Sequence, residues 1–340
     1  MSAGTRIRSL AWFVIAVVYY LFARTVASTA ANGLSSGPWF FFVERAILLF
    51  LLVIGFAAMG YVGQRQRTPV ADMGLARRPG WRREFALGSA IGWSGVTACA
   101  LMIVIFGGMV VTFYTGWRQF ALLPLDIAIL LIASLAEEVA FRGYPFQRLI
   151  EVTGPIFATL FLSALFALIH INNPGASVAS TLVTFCAGWL LSVAYLRTRA
   201  LWVGWGIHFA WNASMAILFG LPLSGITQFS PVISSTAIGP TWLTGFDYGP
   251  EGSAVAIVVI IGLIIVTISA TRDLKHQYAQ PIIIPGGIPV DIDAISRRQH
   301  ETAMGPSQPT QPQIIQITGV QSQPSQVPPE SESPEPTQES

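Results

Sequence analysis

The chain consists largely of long apolar stretches separated by short polar segments. A helix needs about 20 predominantly apolar residues to cross a bilayer. Backbone groups in lipid must be paired within the protein, so each such stretch is predicted to be a helix. Eight stretches fit, at residues 10–27, 38–62, 85–113, 121–141, 154–171, 177–196, 201–220 and 253–270. The pattern predicts an all-α fold, a polytopic membrane bundle of about eight transmembrane helices.

The composition agrees with a membrane protein. Apolar residues make up 53% of the chain and charged residues 11%, whereas soluble domains carry roughly 25% charged residues. The net charge of +2 is too small to indicate nucleic acid as a partner. Cys99 and Cys186 both lie in apolar stretches, which excludes a disulfide scaffold and a cysteine-based zinc site. The composition therefore predicts the lipid bilayer as a partner.

The basic residues predict the orientation. All Lys and Arg residues except Arg24, Arg45 and Arg118 lie in segments that would share one side of the membrane. Because basic residues accumulate on the cytoplasmic side, both termini are predicted to be cytoplasmic. The connection 221–252 contains no Lys or Arg and suits the far side. We predict an integral protein of the plasma membrane.

The two ends of the chain differ from the bundle. The first stretch follows Arg6 and Arg8 and also resembles a cleavable signal peptide, but its length favours an uncleaved span. The last residues are rich in Pro, Gln, Ser and Glu, which predicts a disordered cytoplasmic tail able to bind an unknown partner. The predicted organisation is 1–120 for the first helices and a basic loop, 121–220 for the core helices, 221–271 for an external loop and the last helix, and 272–340 for the tail.

Ionisable residues inside these stretches are few, and each costs about 2.5–3.5 kcal/mol on insertion scales. Glu44, Arg45 and Asp126 lie near the outer ends of two stretches. We interpret Arg45 and Asp126 as an interfacial ion pair. The remaining ionisable residues fall in three stretches, and membrane residues of this kind indicate function by default.

The fourth stretch ends with two adjacent carboxylates, Glu137 and Glu138, followed by Arg142. Neighbouring side chains point about 100° apart on a helix, so only one carboxylate can face a given cavity. Glu138 and Arg142 are four residues apart and are predicted to pair. Glu137 is left without this partner and suits the role of a general base.

Two further stretches add histidines. His170 is predicted to lie at the depth of Glu137 if the fourth helix continues past Phe146 and the chain turns near Gly154. The seventh stretch carries His208 and Asn212, which are four residues apart and share one face of a helix.

A buried Glu, two His and an Asn suit amide hydrolysis, which needs an activated water and donors for the developing oxyanion. The chain has no His-Glu-x-x-His sequence, so ordinary zincins are excluded. Its Gly-x-Ser-x-Gly match, Gly33 to Gly37, connects two predicted helices and not a strand and a helix, so a serine hydrolase has no support. Two alternatives remain open. Glu137 and His170 could hold the water alone, or Glu137, His170 and His208 could bind zinc or another divalent metal.

These motifs resemble the CPBP family of intramembrane proteases, which includes the CAAX prenyl endopeptidases and bacterial relatives linked to bacteriocin immunity. The resemblance covers about 121–220. The matching residues are Glu137, Glu138, Arg142, Phe166, His170, His208 and Asn212. The resemblance implies that Glu137 and His170 activate the water and that His208 and Asn212 form the oxyanion site. It also implies that Glu138 and Arg142 support the cavity.

The sequence therefore predicts a CPBP-type intramembrane (metallo)endopeptidase that cleaves a membrane-anchored or lipidated, CAAX-like protein. Arg142 and Arg148 indicate that the fourth helix ends near the cytoplasm, so the site is expected to open inward. One alternative is a non-catalytic immunity or scaffolding protein of the same fold. A transporter is the other, although the repeat symmetry typical of transporters is not evident.

Overall fold

The computed structural model describes residues 3–113 and 117–271, and these are mostly helical. The predicted tail, 272–340, lies outside the described residues. The helices are α1 (Ala3–Leu34), α2 (Trp39–Gln64), α3 (Trp81–Ile105), α4 (Trp117–Arg142), α5 (Tyr144–Thr153), α6 (Pro155–Leu168), α7 (Val178–Thr198), α8 (Trp202–Ala213), α9 (Thr241–Thr244) and α10 (Ala254–Ala270). Short π-helical segments are Ala71–Leu75 and Ser214–Leu218, and 3₁₀ turns are Phe246–Tyr248 and Pro250–Gly252.

The helices bear out an integral membrane protein. Among the described residues, five helical segments are long and apolar enough to cross a membrane, namely Ala3–Leu34, Trp39–Gln64, Trp81–Ile105, Phe120–Thr153 and Val178–Thr198. The stretches 154–171 and 253–270 form the shorter helices α6 and α10. The stretch 201–220 forms α8, which has 12 residues, and the π-helical segment after it. For these three stretches a full crossing stays a prediction.

The third stretch does not remain helical to residue 113, so this boundary and the all-α description are corrected. Helix α3 ends at Ile105, and Gly107 takes a φ of 69° that suits glycine. The next residues form strand β1 (Met109–Phe113), which pairs antiparallel with β2 (Ile233–Ala237). The segment Met-Val-Val-Thr-Phe is rich in β-branched and aromatic residues, which favour a strand once the glycines have ended the helix.

The fourth helix also ends earlier than the sequence suggests. Helix α4 ends at Arg142, and Gly143 leaves helical geometry with φ −77° and ψ −131°. Pro145 explains the break, because its ring would clash with the carbonyl of Phe141 in a continuous helix. Helix α5 then continues to Thr153 and is followed by Gly154, where the predicted turn occurs.

Contacts between helix ends define two opposite faces of the bundle. On the basic face, the segments 65–80, 199–201 and 271 and the start of α1 lie together. The contacts there are Ser9 to Glu151, Arg78 to the Thr198 carbonyl, Trp202 to the Ala76 carbonyl and Arg197 to Thr271. On the distal face lie the connections 35–38, 106–113, 169–177 and 219–253. They are joined by the β1–β2 pairing and by the bonds Asn173 to Ser224 and Ser230 to Asp126.

The buried apolar residues form two clusters. One is built mainly from α3, α7, α8 and α10 and includes Ile207 and Trp211. The other is built mainly from α1, α2, α5 and α6 and includes Phe166. Helix α4 belongs to both, because Leu130 packs in the first cluster and Ala136 in the second. Helix α4 therefore joins the two halves of the bundle.

Helix α8 packs closely on α3 through glycines. A Cβ added at Gly88 would meet the Val203 carbonyl, and one at Gly92 would meet the Ile207 carbonyl. Gly88 and Gly92 form a small-xxx-small pattern, which permits close approach of two helices, and the backbone of α8 lies against it. The contact fixes the position of α8, which carries His208 and Asn212.

We expect Gly92→Ala to lower the free energy of unfolding by about 1–3 kcal/mol, because the added methyl group overpacks the α3–α8 contact. Gly262→Ala is the matched control, since a Cβ at Gly262 in α10 meets nothing within 4 Å. Unfolding of the two full-length variants in detergent measures the difference. Equal stability of the two variants would contradict this account of the packing.

Candidate active site

A cavity of about 210 Å³ lies where the two apolar clusters meet. It is lined by Glu137 from α4, His170 from the turn after α6, and His208 and Asn212 from α8. Phe166, at the end of α6, also lines it. The structure thus brings together around one cavity the four side chains that the sequence predicts to be catalytic. The break at Gly143 does not separate Glu137 from His170.

Glu138 and Arg142 form a buried pair behind this cavity. Arg142 Nη1 lies 3.3 Å from Glu138 Oε1, and both side chains are 1% exposed. Arg142 Nη2 also donates to the Gly188 carbonyl at 2.9 Å, which links α4 to α7. The pair that the four-residue spacing predicts is therefore present. The pair is buried and not solvated, so its role is structural. We call Glu138 and Arg142 the floor of the cavity.

His208 connects this floor with the cavity. Its Nδ1 lies 2.9 Å from Glu138 Oε1, and its Nε2 lies 3.6 Å from Glu137 Oε2. Since Glu138 is paired with Arg142 and accepts hydrogen bonds, Nδ1 carries a proton and donates it to Glu138. The bond orients the ring so that Nε2 faces Glu137. The Glu137 side chain is 24% exposed, in contrast to Glu138.

His170 is oriented by its own backbone. Its Nδ1 lies 2.7 Å from the Phe166 carbonyl oxygen and therefore donates to it, which leaves Nε2 as an acceptor. The Phe166 ring lies 4.8 Å from the His170 ring and 6.1 Å from the His208 ring. The Arg142 guanidinium stands 4.7 Å from the centre of the same Phe166 ring. Phe166 thus packs between the two histidines and the floor.

The sequence leaves open a metal bound by Glu137, His170 and His208. Both histidines use Nδ1 for a hydrogen bond and keep Nε2 available, an arrangement that metal ligands share. However, the described part of the chain contains no group of three or more His, Cys, Asp or Glu side chains placed to hold a metal ion. The three side chains as they stand do not form a ligand set, and no chemical step is assigned to a metal.

The prediction that Arg45 and Asp126 form an ion pair is wrong. Arg45 Nε lies 3.7 Å from Glu44 Oε2, its neighbour on α2. Asp126 instead accepts a hydrogen bond from the Ser230 amide at 2.8 Å. The connection that supplies Ser230 is remote in sequence, so spacing along the chain gave no indication of this partner.

Several polar lining residues were missed by reasoning from the sequence, among them three from α1 and α2. Tyr20 and Arg24 from α1 and Arg45 from α2 line the same cavity as Glu137. The sequence did hold a signal, because Arg24 and Arg45 are two of the three basic residues that depart from the positive-inside pattern. An arginine inside a span is expected to face a polar cavity.

The connection 219–253 forms a roof over the cavity, and Glu251 fixes it. One Glu251 oxygen accepts from Trp211 Nε1 at 2.9 Å, and the other accepts from the Ser224 amide at 2.8 Å and hydroxyl at 2.7 Å. Asn173 donates to the Ser224 carbonyl at 3.1 Å. Burial and the nearby Glu251 carboxylate raise the pKa of Tyr248 in this roof, so its phenol stays protonated. The roof is a hydrogen-bonded unit rather than a loose loop.

Residues 119–214 match the family model described as Type II CAAX prenyl endopeptidase Rce1-like. The matched segment includes both carboxylates of α4, both cavity histidines and Asn212. The resemblance to the CPBP proteases is confirmed for this part of the chain. No curated protein and no solved structure matches the chain.

Proposed function

We propose that this protein is an intramembrane endopeptidase that hydrolyses a peptide bond in a membrane-anchored or lipidated protein. The observation that carries the proposal is the shared cavity of Glu137, His170, His208 and Asn212. The family match over 119–214 supports a protease of the CAAX type. The buried floor of Glu138 and Arg142 supports it as well, because it holds His208 toward Glu137.

In the proposed reaction, Glu137 and His170 hold the attacking water. Glu137 takes a proton as the water oxygen bonds to the carbonyl carbon of the substrate, and the proton later passes to the departing amine as the C–N bond breaks. The gap of 3.6 Å between Glu137 Oε2 and His208 Nε2 leaves room for one oxygen atom of the tetrahedral intermediate, which would contact His208 and the protonated Glu137 at about 2.8 Å. A fixed polar site of this kind stabilises charge without reorganising solvent.

Asn212 and His208 are proposed to stabilise the oxyanion. The Asn212 amide supplies a neutral donor. A donor at His208 Nε2 requires a ring protonated on both nitrogens, and the Glu138 carboxylate, which accepts from Nδ1, compensates that charge. Loss of one such donor costs about 10²–10³ in rate in other hydrolases.

We expect His170→Gln to lower kcat/KM by about 10²-fold or more, because a side-chain amide is not basic and cannot replace the imidazole acceptor at the water. Asn32→Gln is a control on the exposed part of α1, where Asn32 only contacts the Ser28 carbonyl. Hydrolysis of a quenched fluorescent peptide in proteoliposomes measures both variants. Retention of full activity by His170→Gln would remove His170 from the mechanism.

The central test is reconstitution of the purified full chain with prenylated and transmembrane peptides. Mass spectrometry of the products identifies the cleaved bond, and Glu137→Ala and His170→Ala serve as inactive references. Addition of a chelator distinguishes a metal-dependent reaction from one run by these side chains alone. If neither class of peptide is cleaved while the protein remains folded, the alternative of a non-catalytic immunity or scaffolding protein is favoured.

A further inference from the structure

The cavity extends from the distal face into the middle of the bundle. Helices α2 and α7 begin at the distal face, and their lining residues Arg45 and Val183 lie within the first two turns. Asn173 and Ser224, which also line the cavity, belong to the distal connections. Toward the end of α4, Glu137 lines the cavity, and the Glu138–Arg142 floor begins at the next residue.

The exposure of the lining residues shows where the cavity is open. Arg24 and Gln228 are exposed, and the Arg45 side chain is 30% exposed. In contrast, Glu138 and Arg142 on the other side are 1% exposed. The cavity is closed toward the basic face and opens between α1, α2 and the roof. We define its mouth by Arg24, Phe41, Arg45, Gln228 and Phe229, all of which line it.

The two faces differ in charge. The distal connections 35–38, 169–177 and 219–253 contain no Lys or Arg. The basic face carries many, including Arg65, Arg67, Arg77, Arg78, Arg197 and Arg199. The positive-inside bias assigns the basic face to the cytoplasm. The mouth then faces the non-cytoplasmic side.

The positions of Arg24 and Arg45 require a physical explanation. Both residues oppose the positive-inside bias, and an arginine within a membrane span is energetically costly. Arg45 has a loose partner, Glu44, at 3.7 Å, and the exposed Arg24 interacts with Tyr20. Glu251 across the cavity is already satisfied by Trp211 and Ser224. Both guanidinium groups therefore have donors available for an anionic ligand.

We propose that substrates reach the cavity through this mouth from the non-cytoplasmic side, and that Arg24 and Arg45 select substrates with a carboxylate near the cleaved bond. The proposal rests on the proposed endopeptidase function and replaces the expectation, based on Arg142 and Arg148, that the site opens toward the cytoplasm. Arg142 and Arg148 are buried, so they do not mark a membrane surface. The substrate class is an acidic, membrane-attached segment on the non-cytoplasmic side.

The first test is the sidedness of the mouth. In a background of Cys99→Ala and Cys186→Ala, Gln228→Cys reports on the mouth and Arg67→Cys on the exposed basic face. A membrane-impermeant maleimide should label Gln228→Cys in intact cells and Arg67→Cys in inverted vesicles, each normalised to labelling in detergent. The opposite pattern, or labelling of both from one side, overturns the proposed route without bearing on catalysis.

The second test is whether the mouth is the route. Coupling a bulky maleimide to Gln228→Cys should reduce peptide hydrolysis at least tenfold relative to the same uncoupled variant, and coupling to Arg67→Cys should not change it. Unchanged hydrolysis after complete coupling at Gln228→Cys contradicts access through the mouth. If no variant hydrolyses any peptide while the sidedness is as expected, the proposed function fails and the position of the mouth stands.

The third test concerns the arginines. Two peptides that differ by Glu or Gln beside the cleaved bond are compared in phosphatidylcholine vesicles with and without phosphatidylglycerol. A charge-assisted hydrogen bond predicts that the wild type prefers the Glu peptide by about tenfold or more in kcat/KM, and that Arg24→Gln with Arg45→Gln removes the preference. An effect that follows the lipid charge and not the peptide would assign both arginines to lipid phosphates and overturn this part of the proposal.

Discussion

Glu137→Gln is expected to lower kcat/KM by about 10²–10⁴-fold while leaving the protein folded, because the substitution removes the general base and retains the size of the side chain. Glu137 is the carboxylate that faces the cavity, with a 24% exposed side chain. A neutral amide at this position should therefore cost little in packing. Hydrolysis of a defined peptide in proteoliposomes, together with thermal unfolding of the same preparation, measures both effects.

The matched control is Asp72→Asn, an acid-to-amide change at an exposed position near the basic face, where Asp72 contacts only Thr68 by its side chain. It should retain wild-type activity. Glu138→Gln should be distinguishable from both, because it changes the buried partner of Arg142 and the acceptor of His208 and so should reduce stability and activity together. Comparable activity of Glu137→Gln and wild type would contradict the proposed mechanism.

Arg142→Met is expected to lower the free energy of unfolding by about 3–5 kcal/mol, because it leaves the Glu138 carboxylate buried without its opposite charge. The loss includes the hydrogen bond from Arg142 to the Gly188 carbonyl at 2.9 Å. Denaturant titration of the detergent-solubilised protein measures the change. Arg67→Met at the exposed basic face is the control and should stay within about 0.5 kcal/mol of wild type.

Combining Arg142→Met with Glu138→Leu separates folding from catalysis. Replacement of both members of a buried ion pair by apolar groups is often neutral or stabilising, so the double variant should recover most of the lost stability. It should not recover hydrolysis, since His208 has then lost the Glu138 oxygen that orients it. A double variant with restored activity would show that the floor serves the fold alone.

The sequence predicted the candidate site better than the boundaries of the elements. The four-residue spacing of Glu138 and Arg142 predicted their pair, because such neighbours meet on any helix. The cavity groups were found because ionisable residues are rare within apolar stretches, so each one carries information. Side-chain pairs within one helix and ionisable residues within apolar stretches can be identified without knowledge of the fold.

Features that depend on long-range contacts were not predictable in the same way. The apolar residues of β1 read as a continuation of α3 until their pairing with β2, more than 100 residues away, is known. Glu251 lies in a connection that gave no periodic pattern, and its role in the roof depends on Trp211 and Ser224. The break at Gly143 could have been foreseen from Pro145, since proline disrupts a helix near its own position.

The size of the cavity and the roof that Glu251 fixes over it limit the substrates that the site can accept. A space of about 210 Å³ is small beside an α-helix, whose diameter with side chains is about 10–12 Å. A transmembrane partner would have to unwind locally before a peptide bond could reach Glu137. If the proposed activity holds, stable helices in the surrounding lipid would be spared, and segments that form helices weakly, such as those containing Gly or Pro, would be cleaved more readily. Intrinsic helix propensity, rather than a side-chain motif alone, would then govern which neighbours are degraded.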